Sequence, residues 1–344
     1  YDPVDFSDLP GWAEDDHAAA LAAFSRGLPA LDPAPADCAI GSALLVCCKQ
    51  AKRLCDEDPG NRARARAFFE AHFIPHRVVH SGESPGLFTG YYEPELAGSR
   101  TRTEAFPVPL LRRPPDLVTI VDDALRASEG ISLTHGRRSA DGAVEAYFTR
   151  EEIECGALDE AALAFAYVAD PVDAYFLHIQ GSGLIAFEDG ARARITYDGK
   201  NGHPYTSVGQ YVIGLGEVSN ADMTLDALKA WLRVEPERGR RAMWVNRSYI
   251  FFKELGDAAK SCTLGTRNIP LTPGRSLAVD ASRHALGMPV FVDVPGLVHT
   301  GMPGGFRRLM VANDVGSAIQ GAERADIFYG SGPDAGRLAG TTKH

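Results

Sequence analysis

Two aspartates near the C-terminal end of the chain have the type and spacing to act as proton donors or acceptors. Asp314 and Asp326 lie beside two short apolar runs, 309–312 and 327–329, which are predicted as buried strands. Glycines in the same stretch supply tight turns, so an acid can be held rigidly while a bulky substrate approaches the backbone. A third aspartate, Asp280, ends another apolar run. Three acids at strand ends predict a carboxylate site.

The same pattern has a structural interpretation, because aspartates after strands usually cap turns or accept backbone hydrogen bonds. A metal site is disfavoured and no cofactor is predicted, since three aspartates without a nearby His or Glu cluster suit a hard cation only weakly. The residue pattern alone therefore leaves acid catalysis and turn capping open.

Short strands must position these acids. They are predicted at 249–252, 277–279, 289–292, 309–312 and 326–329. Many short strands with Gly and Pro turns are typical of a closed barrel, and the prolines near residue 107 indicate a chain leaving one domain for another. The chain is therefore predicted to be mainly β with a helical N-terminal part. Residues 1–106 and 247–344 would form the barrel domain, and residues 107–246 a smaller inserted β-rich domain.

The N-terminal part is predicted to be helical and to pack on the barrel. Asp15 and Asp16 can cap a helix over 18–24, and further helices are predicted at 42–54 and 61–73. The arginines of the last helix are interpreted as a solvated face, because the chain carries a net charge of −10.

The middle of the chain mixes both kinds of element. A helix is predicted at 159–169 and strands at 175–179 and 184–187, with the tight turn QGSG (180–183) between the two strands. Ser207 opens a further helix, and Thr224 caps another one over 225–232.

Composition narrows the class of protein. The apolar fraction of 45% and charged fraction of 23% are those of a soluble globular protein, and the acidic balance with scattered Lys and Arg disfavours nucleic acid as a partner. No apolar run approaches the length of a membrane span, and the six cysteines show no zinc spacing. Since the chain begins at Tyr1 without a methionine, we expect a processed or trimmed form, from which any targeting segment has been removed.

Several motifs occur together in one order along residues 86–344, about three quarters of the chain. They read FTGYYEP (88–94), HIQGSG (178–183), YDGKNGHPYTSVG (197–209), NRSYIFF (246–252), RSLAVD (275–280), NDVGSAIQG (313–321) and RADIFYGSG (324–332). In this set the chain resembles the membrane-bound lytic murein transglycosylase A family, whose C-terminal domain is named for three aspartates.

The resemblance implies a double-psi β-barrel domain with a smaller inserted β-rich domain, and a groove between them that binds glycan strands. The family runs on into a last strand beyond residue 344, so the barrel is expected to lack that strand here. The resemblance also implies a periplasmic enzyme at the outer membrane of a Gram-negative bacterium, with any lipid anchor upstream of Tyr1. A monomer is expected.

The implied activity is that of a lytic transglycosylase, which cleaves the β-1,4 bond between N-acetylmuramic acid and N-acetylglucosamine in peptidoglycan and forms a 1,6-anhydro sugar. Asp326 would be the single acid and base. Burial and a neighbouring carboxylate favour a protonated acid, and Asp314 is the candidate neighbour. Asp280 stays open between substrate contact and turn cap. A lasting ion pair between Asp326 and an arginine would contradict this interpretation.

Glycan contacts are predicted from motif identity together with stacking and hydrogen-bonding chemistry. Tyr91 and Tyr92 alternate across one strand, so that one can face the core and the other a cleft. The predicted substrate-binding residues are Asp280, Thr89, Tyr92, Gln180, Ser182, Lys200, Asn201 and Tyr205. His178 and His203 are interpreted as structural.

Two other functions remain open from the sequence. One is a polysaccharide-binding barrel without catalysis. The other is an inverting muramidase that uses water, with Asp314 as base and Asp326 as acid.

Overall fold

The computed structural model describes residues 2–27, 39–78, 86–120, 134–139, 142–256, 262–298, 304–316 and 318–343. The chain divides into two compact units. One is split in sequence, Tyr1–Tyr92 with Cys262–His344, and the other is continuous, Glu93–Ser261. They are called here the split unit and the continuous unit.

The strands of the described residues are β1 (Asp2–Pro3), β2 (His76–Arg77), β3 (Leu87–Glu93), β4 (Glu95–Ser99), β5 (Val108–Leu111), β6 (Leu117–Thr119), β7 (His135–Arg138), β8 (Val144–Ala146), β9 (Ala164–Val168), β10 (Ser182–Phe187), β11 (Arg192–Lys200), β12 (Ile250–Glu254), β13 (Ser276–Val279), β14 (Pro289–Val294), β15 (Phe306–Val315) and β16 (Arg324–Ser331). The α-helices are α1 (His17–Ser25), α2 (Ala39–Glu57), α3 (Arg62–His72), α4 (Arg150–Glu152), α5 (Glu160–Leu163), α6 (Pro171–Gln180), α7 (Val208–Gly214), α8 (Leu225–Val234), α9 (Pro236–Trp244) and α10 (Gly332–Thr341).

A five-stranded sheet forms the centre of the split unit, in the order β14-β15-β13-β16-β3. The pair β13–β15 is parallel, whereas β14–β15 and β13–β16 are antiparallel. One face of the sheet buries an apolar cluster that includes Leu277, Val292 and Ile327. The order runs from β14 to β3 without closing on itself among the residues that the structure describes, so the predicted closed barrel is not seen at this level.

The N-terminal helices pack against the same sheet, as predicted. Phe24 and Phe69, from α1 and α3, share an apolar cluster with Leu309 and Val311 of β15. The cap predicted at Asp15 and Asp16 is made by Asp16, whose side chain accepts from Ala19 N at 3.1 Å. Asn61 caps α3 by accepting from Arg64 N at 2.9 Å.

A buried ion pair ties this helical part to the sheet. Both Arg275 amino groups donate to the two carboxylate oxygens of Asp15, at 2.8 and 2.9 Å, and Leu309 N donates to Asp15 at 2.7 Å. Because both charges are buried, loss of either partner would leave an uncompensated charge in the core.

The continuous unit contains a six-stranded sheet, in the order β12-β11-β10-β4-β9-β5, and a three-stranded sheet, β6-β7-β8. Strand β4 pairs in parallel with β10, and β12 pairs antiparallel with β11. These pairings place β4 and β12 inside this unit, so the breaks fall after Tyr92 and Ser261 instead of after residues 106 and 246.

Two predicted elements of the continuous unit are wrong. The helix predicted over 159–169 ends at Leu163, and Ala164–Val168 is strand β9, which pairs with both β4 and β5. The strand predicted at 175–179 is part of helix α6, Pro171–Gln180.

Local signals explain the second error. The Asp170 side chain caps the helix by accepting from Val172 N at 2.7 Å, Pro171 occupies its first turn, and Gly181 ends it with a φ of 75°. The apolar run 175–179 is too short for its periodicity to distinguish a helix from a strand. QGSG therefore closes a helix and opens β10.

None of the helices in the described parts of the chain is both long and apolar enough to cross a membrane.

Candidate active site

A β-bulge brings Asp314 and Asp326 to one face of the split-unit sheet. Along β13, Leu277 pairs with Ala312 but the next residue, Ala278, pairs with Asp314, so that Asn313 is an extra residue in β15. Without it, Asp314 would share the face of Ala312 and point into the apolar cluster. With it, Asp314 lies on one side of Ala278, and Asp326 is the register partner on the other side. Two strand spacings separate the two backbones, about 10 Å.

The carboxyl of Asp326 is partly buried and is bound at one oxygen. Its Oδ1 accepts hydrogen bonds from Thr89 Oγ1 and Arg324 Nη1, while its side chain keeps 19% of its surface exposed. Thr89 was a predicted site residue, and the structure brings it to the predicted acid. Arg324 was not predicted, although it stands two residues before Asp326 and therefore shares its face of β16. Its ion pair with Asp326 is the kind of contact that was expected to contradict an acid role for Asp326, and it engages Oδ1 alone among the described residues.

Asp314 is held by four donors. Its Oδ1 accepts from Thr266 N, Thr266 Oγ1 and Val315 N, each at 2.9 Å, and its Oδ2 accepts from Tyr91 Oη at 3.0 Å. Burial raises the pKa of Asp314 above its ordinary value, and the hydrogen bonds act in the opposite direction. This carboxyl is fixed in place and has few lone pairs left for a substrate.

Tyr91 and Tyr92 lie on opposite faces of β3, as the alternation of a strand requires. Tyr91 is the one on the face that carries the acids, where it binds Asp314. Its ring packs on Phe328 at 5.1 Å between centroids, and burial together with Asp314 raises its pKa well above the ordinary value. Tyr92, which was predicted to bind substrate, is 7% exposed on the opposite face and packs against Gly336 of α10. The sequence could place the two tyrosines on opposite faces but could not tell which face carries the acids.

Close backbone approach explains two glycines around the site. A Cβ at Gly90 would lie 2.6 Å from the Tyr329 ring and 2.8 Å from Ala339 Cα, so glycine allows α10 to pack on β3. A Cβ at Gly265 would lie 2.7 Å from Asn313 O and 3.0 Å from Asp314 Cγ. Glycine there lets the Thr266 loop reach Asp314, a role that sequence reasoning missed because no local pattern marks it.

Asp280 caps a turn. Its Oδ1 accepts from Ser282 N at 2.9 Å and from Ser282 Oγ at 2.6 Å, and its Oδ2 accepts from Gly321 N at 2.7 Å. These hydrogen bonds, the Ser282 hydroxyl first, hold the pKa of Asp280 below its ordinary value. Of the two interpretations left open for this residue, its contacts are those of a turn cap.

Asn201, predicted to bind substrate, is fully buried in the continuous unit. Its Nδ2 donates to Phe148 O and Arg247 O, both at 2.8 Å, and its Oδ1 accepts from Tyr249 N at 2.9 Å. These bonds use the amide to join three backbone segments.

The other predicted contacts of the continuous unit lie nearer its surface. Gln180 ends α6 and is partly buried, and Ser182 opens β10 opposite Thr196. Lys200 ends β11, where partial burial lowers its pKa, and Tyr205 is 41% exposed. The predicted site residues therefore fall into two sets, one in each unit.

The two histidines that were interpreted as structural are buried, at 4% and 5% exposure. His203 Nε2 lies 2.8 Å from Tyr147 O. His178 Nδ1 lies 3.1 Å from Arg150 Nη1, and burial together with that guanidinium lowers the pKa of His178 well below its ordinary value. Both rings are engaged inside the continuous unit.

Within the described ranges, no group of three or more His, Cys, Asp or Glu side chains could hold a metal ion. Free thiols are found at Cys47, Cys48, Cys55, Cys155 and Cys262, and Cys38 lies outside the described residues.

Comparison with known proteins gives matches over most of the chain. Residues 87–253 match the family model described as the MltA specific insert domain, and residues 275–344 match the 3D domain. Membrane-bound lytic murein transglycosylase A of Escherichia coli K12 is 35% identical over 261 residues, which are 75% of this chain and 63% of that protein. The chain thus spans less than two thirds of that curated relative.

Solved structures match over nearly the whole chain. The membrane-bound lytic murein transglycosylase of Agrobacterium tumefaciens is 36% identical with a TM-score of 0.88, and the match covers 99% of this chain and 94% of that one. MltA of Escherichia coli with bound chitohexaose is 27% identical with a TM-score of 0.66, and the match covers 100% of this chain and 88% of that one.

Proposed function

This chain belongs to the membrane-bound lytic murein transglycosylase A family, and we propose that it cleaves the β-1,4 bond between N-acetylmuramic acid and N-acetylglucosamine in peptidoglycan. The product would be a 1,6-anhydro sugar. One observation carries the proposal: a partly exposed carboxyl, Asp326, is fixed through one oxygen inside the matched 3D domain. Its other oxygen, Oδ2, has no partner among the described residues.

Asp326 would act as acid and then as base. It starts protonated and gives the proton to the glycosidic oxygen as the bond from C1 of the muramic ring to that oxygen breaks. The muramic C6 hydroxyl then attacks C1, and its proton passes to the Asp326 carboxylate. The proton count is restored and no water is consumed. Because the nucleophile belongs to the substrate, the second step is intramolecular, an advantage of up to about 7–11 kcal/mol in favourable cases.

Asp314 would support this chemistry as a fixed negative neighbour. A carboxylate on the same face favours the protonated form of a nearby acid. The four hydrogen bonds that Asp314 accepts leave a free lone pair only on Oδ2, so an inverting muramidase would need its water at that oxygen.

Proposed glycan contacts lie in each unit. Thr89 lies at the acid, and Gln180, Ser182, Lys200 and Tyr205 remain proposed contacts from the continuous unit. The chitohexaose bound to the Escherichia coli relative supports a glycan as ligand. Asn201 and Tyr92 are not proposed as contacts, because both are buried and engaged elsewhere.

We propose further that the five-stranded sheet belongs to a double-psi β-barrel and that the protein acts as a monomer. A parallel pair, β13–β15, flanked by antiparallel neighbours supports the barrel. The names of the relatives support a protein held at a membrane, and we propose a periplasmic location at the outer membrane, with an anchor upstream of Tyr1. A crystal structure, sedimentation analysis and cell fractionation test these three points.

Mass spectrometry of the products from purified sacculi tests the activity. Anhydro-muropeptides are expected from the wild type, and Asp326→Asn should lower their rate of formation by at least about a hundredfold, because the proton donor is lost. Asp334→Asn is the matched control, since Asp334 is exposed on α10 and pairs with Arg337. Reducing ends would indicate the muramidase, unchanged strands the binding module, and full activity in Asp326→Asn would overturn the assignment.

A further inference from the structure

The two oxygens of Asp326 are not equivalent. Both hydrogen bonds that the carboxyl accepts, from Thr89 Oγ1 and Arg324 Nη1, end on Oδ1. A guanidinium only donates, so a proton on Oδ1 would face a donor that cannot accept it. Oδ2 has no such neighbour among the described residues and is the better position for a transferable proton.

Arg324 is anchored beside the acid. Its Nη1 also donates to Ala325 O at 2.8 Å, and its side chain is 16% exposed. Residues 324 and 326 share one face of β16, whereas Ala325 faces the apolar cluster. The cation is therefore a partly buried part of the strand, unlike the exposed arginines of α3.

The charged and titratable groups around Asp326 come from each neighbouring element. Strand β16 contributes Arg324, β3 contributes Tyr91, and β15 contributes Asp314, while the β13 partner is the uncharged Ala278. On the C-terminal side, Lys343 bridges to Thr89 through the backbone, and the α10 charges Asp334 and Arg337 pair with each other at the surface.

These groups act on the acid in opposite directions. Asp314 is a carboxyl on the same face of the sheet, whereas Arg324 brings a positive charge into direct contact with the acid. The acid must be protonated in the first step of the proposed reaction and charged after it. A cation at Oδ1 suits the second requirement and limits the first to lower pH.

We propose that Arg324 is a positioning residue for the proton donor: by binding Oδ1 it directs the transferable proton to Oδ2, and its charge sets the upper pH limit of catalysis. This inference rests on the proposed function, in which Asp326 is the proton donor. The arginine pair is then part of the catalytic cycle and does not block it, because the oxygen that delivers the proton stays free.

The pH profile of kcat/KM for Arg324→Gln tests this. Removal of the cation makes the acid easier to protonate, so the midpoint of the basic limb should move upward by about one pH unit. Arg324→Lys keeps the charge and should keep the midpoint near the wild-type value. Arg307→Gln is the matched control, because Arg307 pairs with Asp293 at 2.8 Å in the same sheet and should leave the limb unchanged.

A direct titration separates this inference from the activity. In protein labelled with ¹³C at the aspartate carboxyls, the Asp326 signal is the one that disappears in Asp326→Asn, and its titration midpoint should rise in Arg324→Gln. An unchanged midpoint in that variant would overturn the role of Arg324 even if anhydro products form. If the wild type forms no anhydro products, the proposed function fails while the titration still reports on the pair. Should Arg324→Gln fold poorly, Arg324→Met retains the apolar stem and carries the same measurement.

Discussion

Polar residues have different roles in the two units. In the split unit they surround Asp326 on a partly exposed face, and in the continuous unit they form a buried network around Asn201 and Arg150. Asp326 keeps 19% of its side chain exposed and leaves one oxygen without a protein partner among the described residues. In the continuous unit, Asn201 and Arg150 are 0% and 1% exposed, and both donate to backbone carbonyls. Polar groups that bind buried backbone fix the chain, whereas groups that bind each other at a partly open face keep capacity for a ligand.

A family motif does not by itself identify the residues that contact substrate. The motif YDGKNGHPYTSVG contains both Asn201, which joins three backbone segments, and Tyr205, which is 41% exposed. The same family resemblance covers both residues. Only the burial of each side chain and the partners it binds separate the structural role from the functional one.

The largest effect should follow from a change in the buried network. Asn201→Ala removes two donors and one acceptor and leaves Phe148 O, Arg247 O and Tyr249 N without their partner, so we expect a loss of about 3–5 kcal/mol in the free energy of unfolding. Denaturant unfolding followed by fluorescence measures it, because Trp231 and Trp244 both lie in the continuous unit.

The control for that experiment comes from the same motif. Tyr205→Phe keeps the ring and should change stability by no more than about 0.5 kcal/mol. If Asn201→Ala kept the wild-type unfolding midpoint and lost affinity for glycan, the structural role of Asn201 would be wrong. Asn201 would then bind the ligand, as is proposed for Tyr205.

Helix starts could be predicted from the sequence, because their signals are local. Asp16, Ser207 and Thr224 each cap a helix at the predicted place. The residue pattern around the acids left turn capping open, and their roles were taken from the family resemblance. The strand order and the orientation of Asp314 could not be predicted, since they depend on a bulge at Asn313 that exists only when β15 pairs with β13. Arg324 also could not be assigned from the sequence. Its charge is visible there, but its approach to Oδ1 depends on the conformation of both side chains on one face of β16.

A smaller effect is expected from the tyrosine hydroxyl that binds Asp314. Tyr91→Phe removes the donor to Asp314 Oδ2 at 3.0 Å, and we expect kcat/KM to fall about tenfold, because a hydrogen bond to a charged group contributes about 1.5–3 kcal/mol. Tyr92→Phe is the matched control on the opposite face of β3 and should retain wild-type kcat/KM. Equal losses in both variants would show that the face on which each tyrosine lies does not decide its role.

The smallest effect is expected at Asp280. Its substitution tests whether this third aspartate binds the glycan or stabilises the fold. Its contacts with Ser282 and Gly321 are those of a turn cap, so Asp280→Ala should cost about 1 kcal/mol of stability near neutral pH and leave the product pattern unchanged.

Hydrogen bonds hold the pKa of Asp280 below its ordinary value, so the folded state favours the charged form. The stabilisation is therefore present above the ordinary pKa and is lost as the pH falls through the lowered folded value. The difference in unfolding free energy between wild type and Asp280→Ala should shrink over that acid range. A stable Asp280→Ala protein that formed no anhydro product would instead place Asp280 among the residues that bind the glycan.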